Sequence, residues 1–307
     1  GQNMSLINRL YNNAYLLITL AMLFWAGNFV LGKGVAETVP PMILSCLRWL
    51  LAFLLLLPFA WPHLKEDWPE YKNRIPYFFM LGLLSGAAFN ALTYLGLHTT
   101  TATNAFVINA SLPIFIILSN YLINNTNITG KETISVMISL IGVLYIIAKG
   151  DLSKLLELNF TFGDLLVIIA IICWAIYTAL LPGRPKLHAL SFAALTFATA
   201  TIILIPFSII EFYLGFRAEM NFTNLSVLLY VGIFPGLLAY IFYNRGVQLI
   251  GPNTTGILLY LMTPMGALLS FLFLGEKPQI FHLVGFALIF TGVLLSSKSP
   301  QKKDATK

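Results

Sequence analysis

Long apolar runs separated by short polar connections set the pattern of the chain. The runs fall at residues 14–31, 42–60, 76–97, 102–122, 133–148, 163–181, 190–212, 227–249, 254–274 and 281–296. Each is close to the roughly 20 residues that a helix needs to cross a hydrocarbon core of about 30 Å. Backbone polar groups in lipid must be satisfied within their own segment, so such runs read as helices and not as strands. The pattern therefore predicts an all-α membrane protein of ten transmembrane helices. Turn formers punctuate the connections: Pro40-Pro41, Pro62, Pro69, Asn124-Asn125, Gly150-Asp151, Pro182-Gly183, Gly251-Pro252 and Lys277-Pro278.

Composition agrees with this picture. Of the residues, 58% are hydrophobic and 10% charged, against about 25% charged in soluble domains. The net charge of +6 is spread over connections and the C-terminus and forms no basic block with interleaved aromatics, so no nucleic-acid partner is expected. With the N-terminus inside, twelve Lys and Arg fall in inside connections and five in outside ones, with Arg48 left within a span. The positive-inside rule then places both termini in the cytoplasm. Residues 1–11 lack the apolar core and cleavage site of a signal peptide, so the first run is expected to be a retained span. Cys46 and Cys173 sit inside apolar runs without metal-type spacing and read as small buried hydrophobes.

The chain also repeats itself. A shift of 150 residues carries Gly82, Gly86 and Gly96 onto Gly232, Gly236 and Gly246, and Gly142-Val143-Leu144 onto Gly292-Val293-Leu294. A shift of 151 takes Pro113 to Pro264, and one of 149 takes Trp25-Ala26 to Trp174-Ala175. Packing through small residues can also make glycines recur, but several spacings at nearly one offset favour duplication. Each half then holds five spans. An odd number makes the second half enter from the opposite side, giving two inverted five-helix repeats.

The segment Trp25-Ala26-Gly27-Asn28-Phe29-Val30, with Lys33, Pro40-Pro41 and Arg48, resembles the opening of the EamA-type proteins of the drug/metabolite transporter superfamily. Pro264, Gly275-Glu276-Lys277, Gly285 and Gly292 are similar to the end of the second EamA repeat. The resemblance spans nearly the whole chain and implies two repeats, at 14–150 and 151–297. Residues 1–13 and 298–307 are then a cytoplasmic N-terminal segment and a cytoplasmic tail. One position departs from the family pattern: Glu276 aligns with Thr126, where an acidic residue is expected.

A pathway between inverted halves is expected near the midplane, lined by polar and aromatic groups. Asn90 and Tyr94 share one helix face, and their mates at the 150 shift are Tyr240 and Asn244. Trp25 with Asn28, and Trp174 with Tyr177, repeat a second geometry; Asn109 before Pro113 matches Tyr260 before Pro264. These ten are the candidate substrate-binding residues, each with helix packing as its alternative. Lys33 and Arg48 are the candidate pathway or structural charges. No acidic residue lies in the middle of a predicted span, so facilitated diffusion or exchange is expected in place of a carboxylate-driven antiport. No phosphate loop, catalytic constellation or metal-ligand spacing is present, so no cofactor, metal or enzymatic activity is expected.

The expectation is a transporter, acting as an exporter, of a small organic metabolite such as an amino acid. It would sit in a bacterial inner membrane and work by alternating access. Efflux of toxic compounds is the alternative the resemblance leaves open, and a membrane-embedded enzyme acting on a lipid-linked substrate is a further one.

Overall fold

Helices are the sole regular elements among the described residues, 5–36 and 38–297, of the computed structural model. After a short helix, Leu6–Tyr11, come α1 (Ala14–Ala36), α2 (Pro41–Lys72), α3 (Ile75–Gly96), α4 (Thr103–Asn124) and α5 (Gly130–Ile147). There follow α6 (Phe162–Gly183), α7 (Ala189–Tyr213) and a 52-residue run, Phe222–Phe273. That run breaks at Gly251, whose φ of 81° and ψ of 168° are not helical, just before Pro252. We call residues 222–250 α8 and 252–273 α9; α10 is Ile280–Ser297. Among the described residues, eight helical stretches are long and apolar enough to cross a membrane, the 52-residue run counted once; the apolar part of α1 is shorter. The protein is a multi-pass membrane protein.

One boundary differs from the sequence expectation. α2 does not stop near Ala60 but continues to Lys72 through Pro58, Pro62 and Pro69. A proline inside a helix removes a hydrogen bond and frees a carbonyl. Beyond Ala60 the neighbours are Trp61, His63, Lys65, Glu66 and Asp67, the composition of a headgroup zone where water can satisfy what the prolines free.

Helix packing pairs the two halves. α2 lies along α7, and α5 along α10; α1 packs on α8 and α9, while α6 packs on α3 and α4. Caps fix the sense of the first pair. The Glu211 carboxylate near the end of α7 accepts the N–H groups of Met42 (3.0 Å) and Ile43 (2.9 Å) at the start of α2. Asp67 near the end of α2 accepts the N–H of His188 at the start of α7, 3.1 Å. The orphan donors of each helix are thus met by its neighbour's carboxylate, and α2 and α7 run antiparallel. α5 and α10 touch through glycine: a Cβ on Gly285 would stand 2.2 Å from Ile146 Cγ1, and one on Gly142 2.8 Å from the Gly285 carbonyl. Phe59, Leu122, Ile202 and Leu283 stay exposed on the outer surface, as residues facing lipid do.

Candidate functional site

The site begins with two irregular turns at matched places. α3 widens into a π-helical turn at Leu83–Ala88, and α8 does so at Gly232–Leu238. Such turns interrupt the regular ladder and leave carbonyls in need of donors. The Gly86 carbonyl receives Trp49 Nε1 (3.0 Å) and Asn90 Nδ2 (2.9 Å). The Pro235 carbonyl receives Trp25 Nε1, 2.9 Å. Indole donors therefore anchor both turns, and the aromatic faces that remain become wall.

Between these turns lies a cavity of about 370 Å³. Its walls come from both halves: Trp25, Asn28, Arg48, Trp49, Asn90, Tyr94 and Asn109 from the first, Trp174, Val227, Tyr240, Leu259 and Met262 from the second. Small-molecule sites span roughly 300–1,000 Å³ and combine apolar walls with a few polar groups. Most of the walls here are apolar, and among the described residues Arg48 is the sole formally charged lining residue.

Arg48 is 4% exposed. Its Nη1 donates to Asn90 Oδ1 at 3.0 Å and to the Tyr94 hydroxyl at 3.5 Å. Its Cζ stands 5.0 Å from the Trp49 ring centroid, within cation–π range. On insertion scales a charge at a helix centre costs roughly 2.5–3.5 kcal/mol. The amide, phenol and indole offset part of that cost without neutralising the charge. Among the described residues the sole ion pair is Arg74–Glu70, 3.7 Å, on the exposed surface.

A dense aromatic floor closes one end of the chamber. Trp174 packs against Trp25 (5.6 Å between centroids), Phe89 (5.2 Å), Tyr240 (5.6 Å) and Tyr243 (5.1 Å). Its Nε1 reaches the Tyr243 hydroxyl at 3.2 Å, and the Tyr177 hydroxyl donates to Asn244 Oδ1 at 2.7 Å. Toward the same helix ends runs an amide chain. Asn124 Nδ2 donates to Asn120 Oδ1 (2.7 Å), Asn120 Nδ2 to Asn253 Oδ1 (3.0 Å), and Asn253 Nδ2 to Glu132 Oε2 (3.0 Å). The chamber residues Tyr94 and Val227 lie toward the opposite ends of their helices, and Leu97 and Thr100 in the turn that follows α3.

The structure brings Trp25, Asn28, Arg48, Asn90, Tyr94, Asn109, Trp174 and Tyr240 to one cavity. Three other candidates sit behind its wall. Tyr177 and Asn244 bond each other within the floor. The Tyr260 hydroxyl donates to the Ala110 carbonyl, 2.9 Å, where α4 is interrupted just before Pro113; it serves a backbone group freed near that proline. The side chain of Lys33 lies outside the described residues. Trp49, Phe89, Thr93 and Met262 also line the chamber. A residue facing a chamber is spelled like one facing lipid, so no sequence signal marked them. Asp164 is 1% exposed and belongs to the frame: it accepts from the Thr161 N–H (2.7 Å), Asn104 Nδ2 (3.1 Å) and the Thr100 hydroxyl. In the loop where Thr126 replaces the expected acid, Glu132 caps α5 through Thr129 and also holds Asn253.

A multi-pass helical protein with a chamber walled by both of its halves has the architecture of a solute transporter. The EamA-like transporter family matches twice, at residues 12–148 and 161–298. The chain belongs to that family. It is 30% identical over 292 residues to an uncharacterized transporter of Archaeoglobus fulgidus, covering 93% of this chain and 98% of that one. It is 26% identical to the uncharacterized transporter YyaM of Bacillus subtilis, covering 93% of each. A solved crystal structure superposes with a TM-score of 0.74 at 17% identity, covering 92% of this chain and 96% of that one, which speaks to the fold alone.

Proposed function

We propose that this membrane transporter exports a small, partly apolar organic metabolite, such as an amino acid, from a bacterial cell across its inner membrane. The carrying observation is the single chamber walled by residues of both halves. The proposed architecture is ten crossings in two inverted repeats, with α1 and the division of residues 222–273 at Gly251 raising the count from eight. Antiparallel α2 and α7, the matched π turns and the exchanged packing of α1 and α6 support it. Rocking of the halves would open the chamber alternately to either side. With both termini cytoplasmic, the described conformation faces outward and the aromatic floor bars the cytoplasmic side. The buried carboxylate Asp164 is occupied by three donors as a helix cap, which favours facilitated diffusion or exchange over proton-driven pumping.

Purified protein in liposomes, screened with labelled amino acids and metabolites, tests this reading. Flux above empty liposomes is expected for at least one solute, and none for any would remove it. Replacing both Asn90 and Tyr240 with alanine should cut that flux while expression persists; unchanged flux would take them out of the site.

A further inference from the structure

Three features of the chamber bear on what it holds. Arg48 is nine-tenths buried, lines the cavity and has no ion-pair partner among the described residues. Its Nε makes no hydrogen bond; Tyr240, 3% exposed, lines the same cavity with its hydroxyl beside the side chains of Ser85 and Tyr177. Among the described residues no lining side chain is acidic. A buried cation without a counter-charge thus lines a chamber otherwise walled by aromatic rings, aliphatic chains and neutral amides. A guanidinium stays protonated at any accessible pH and presents a fork that matches the two oxygens of a carboxylate. A buried cation is stabilised when an anion completes it.

Resting on the transport reading above, and narrowing its solute from amino acids to acids that lack the amine, we propose that Arg48 and Tyr240 form an anion subsite and that the solute is an aromatic or branched monocarboxylate without an ammonium group. One carboxylate balances the one cation. The rings of Trp25, Trp49 and Trp174 receive the apolar body. Among the described residues an ammonium finds no carboxylate in the lining: Asp164 stands behind Thr100 with its oxygens already bonded. A zwitterionic amino acid therefore binds more weakly than the corresponding acid lacking the amine, and a cation more weakly still.

Four probes of nearly one shape test this: phenylacetate, phenylacetamide, phenylglycine and phenethylamine. Each is titrated into the full chain in detergent, with quenching of the three chamber tryptophans as readout and calorimetry as a check. Phenylacetate is expected to bind about tenfold tighter than the amide, the loss of one charge-assisted hydrogen bond, with phenylglycine weaker than phenylacetate and phenethylamine weakest. Arg48→Gln should collapse the acid-over-amide ratio to about one, and Arg48→Lys should keep part of it. Tyr240→Phe, which preserves the ring, should lower the ratio by a few-fold and covers the case in which Arg48→Gln does not fold. Parity of any other probe with phenylacetate, no binding of phenylacetate, or an unchanged ratio in a folded Arg48→Gln protein would overturn the proposal. Acid-selective binding with no flux in liposomes would leave the subsite standing and remove the transport reading. Flux of a neutral or cationic solute that phenylacetate fails to inhibit would do the reverse.

Discussion

Asn90 and Tyr94 in α3 occupy the places that Tyr240 and Asn244 occupy in α8, yet the two pairs do different work. In the first half both side chains hold the Arg48 guanidinium at the chamber wall. In the second, the Tyr240 ring lines the chamber while Asn244 turns away and accepts from Tyr177 in the floor. The difference traces to one charge. α2 carries Arg48, whereas α7 has no charged residue from Ala189 to Ile210. Matched backbones thus present an electrostatically one-sided chamber. The two halves build the walls together, and the charge on Arg48 gives them polarity. The floor differs from the chamber in kind, since nearly every polar group in it has a partner within the protein.

The largest expected effect separates floor from scaffold. Trp174 is 4% exposed and meets rings from both halves. Trp174→Ala should cost about 3–5 kcal/mol, as deletion of a large buried aromatic does, measured by thermal or denaturant unfolding in detergent. Because the indole also closes the chamber, protein that still folds should leak solute without gradient-dependent exchange. Full stability would mean that the ring is peripheral, and the comparison would fail at its centre.

Next come the exchanged caps. Glu211 serves two N–H groups at part-buried positions, whereas Asp67 serves one at an exposed position. Glu211→Gln keeps one acceptor but loses the charge and a bond. A loss of about 0.5–2 kcal/mol is expected, in the range of lost helix caps, and Asp67→Asn should lose less. Equal losses would show that the two ends of the α2–α7 pair are held alike.

Much of this organisation was legible in the sequence. The apolar runs were readable because lipid demands them, and the Gly251-Pro252 dipeptide sits where the 52-residue run breaks. The glycine spacing pointed to matched segments, and Gly86, Gly232 and Gly236 lie within the π turns with Gly82 at the edge. The turns themselves were not legible, because a π turn shares its letters with the α-helix around it. Nor was the extension of α2 to Lys72, since proline reads as punctuation unless the depth of the segment is known. Within the site, the period of the helix was enough to put Asn90 and Tyr94 on one face. It could not tell Tyr240, at the wall, from Asn244, one turn behind it, because that depends on how α6 packs.

A smaller effect distinguishes the matched amides. Asn244→Ala removes the acceptor of the Tyr177 hydroxyl in the floor and should cost about 0.6 kcal/mol, the average for such bonds between membrane helices, with solute affinity little changed. Asn90→Ala should do the opposite, because its carbonyl orients Arg48 toward the chamber. Unfolding and binding measured on the same two variants check this. A pair of variants with the same profile would erase the distinction between wall and floor.

The smallest effect concerns the one end of the α2–α7 pair that carries histidines. The rings of His63 and His188 stack with centroids 3.5 Å apart and planes within 6°. His188, just before α7, also accepts the Leu190 N–H on Nδ1 at 3.2 Å, which requires that nitrogen to be unprotonated. Partial burial and the neighbouring His63 hold His188 below its usual value of 6.5, against the opposing pull of Asp67 and Glu66. A histidine whose folded value is depressed binds protons more readily when unfolded. Its contribution is therefore complete above about pH 6.5 and lost as the pH falls through the folded value. The unfolding temperature in detergent should drop modestly between pH 7.5 and pH 5, and His188→Asn, which can still cap the helix, should flatten that slope. The Glu211 end has no histidine opposite its carboxylate. An equal flattening in Glu211→Gln would mean that the pH response belongs to the whole helix pair and not to the stacked imidazoles.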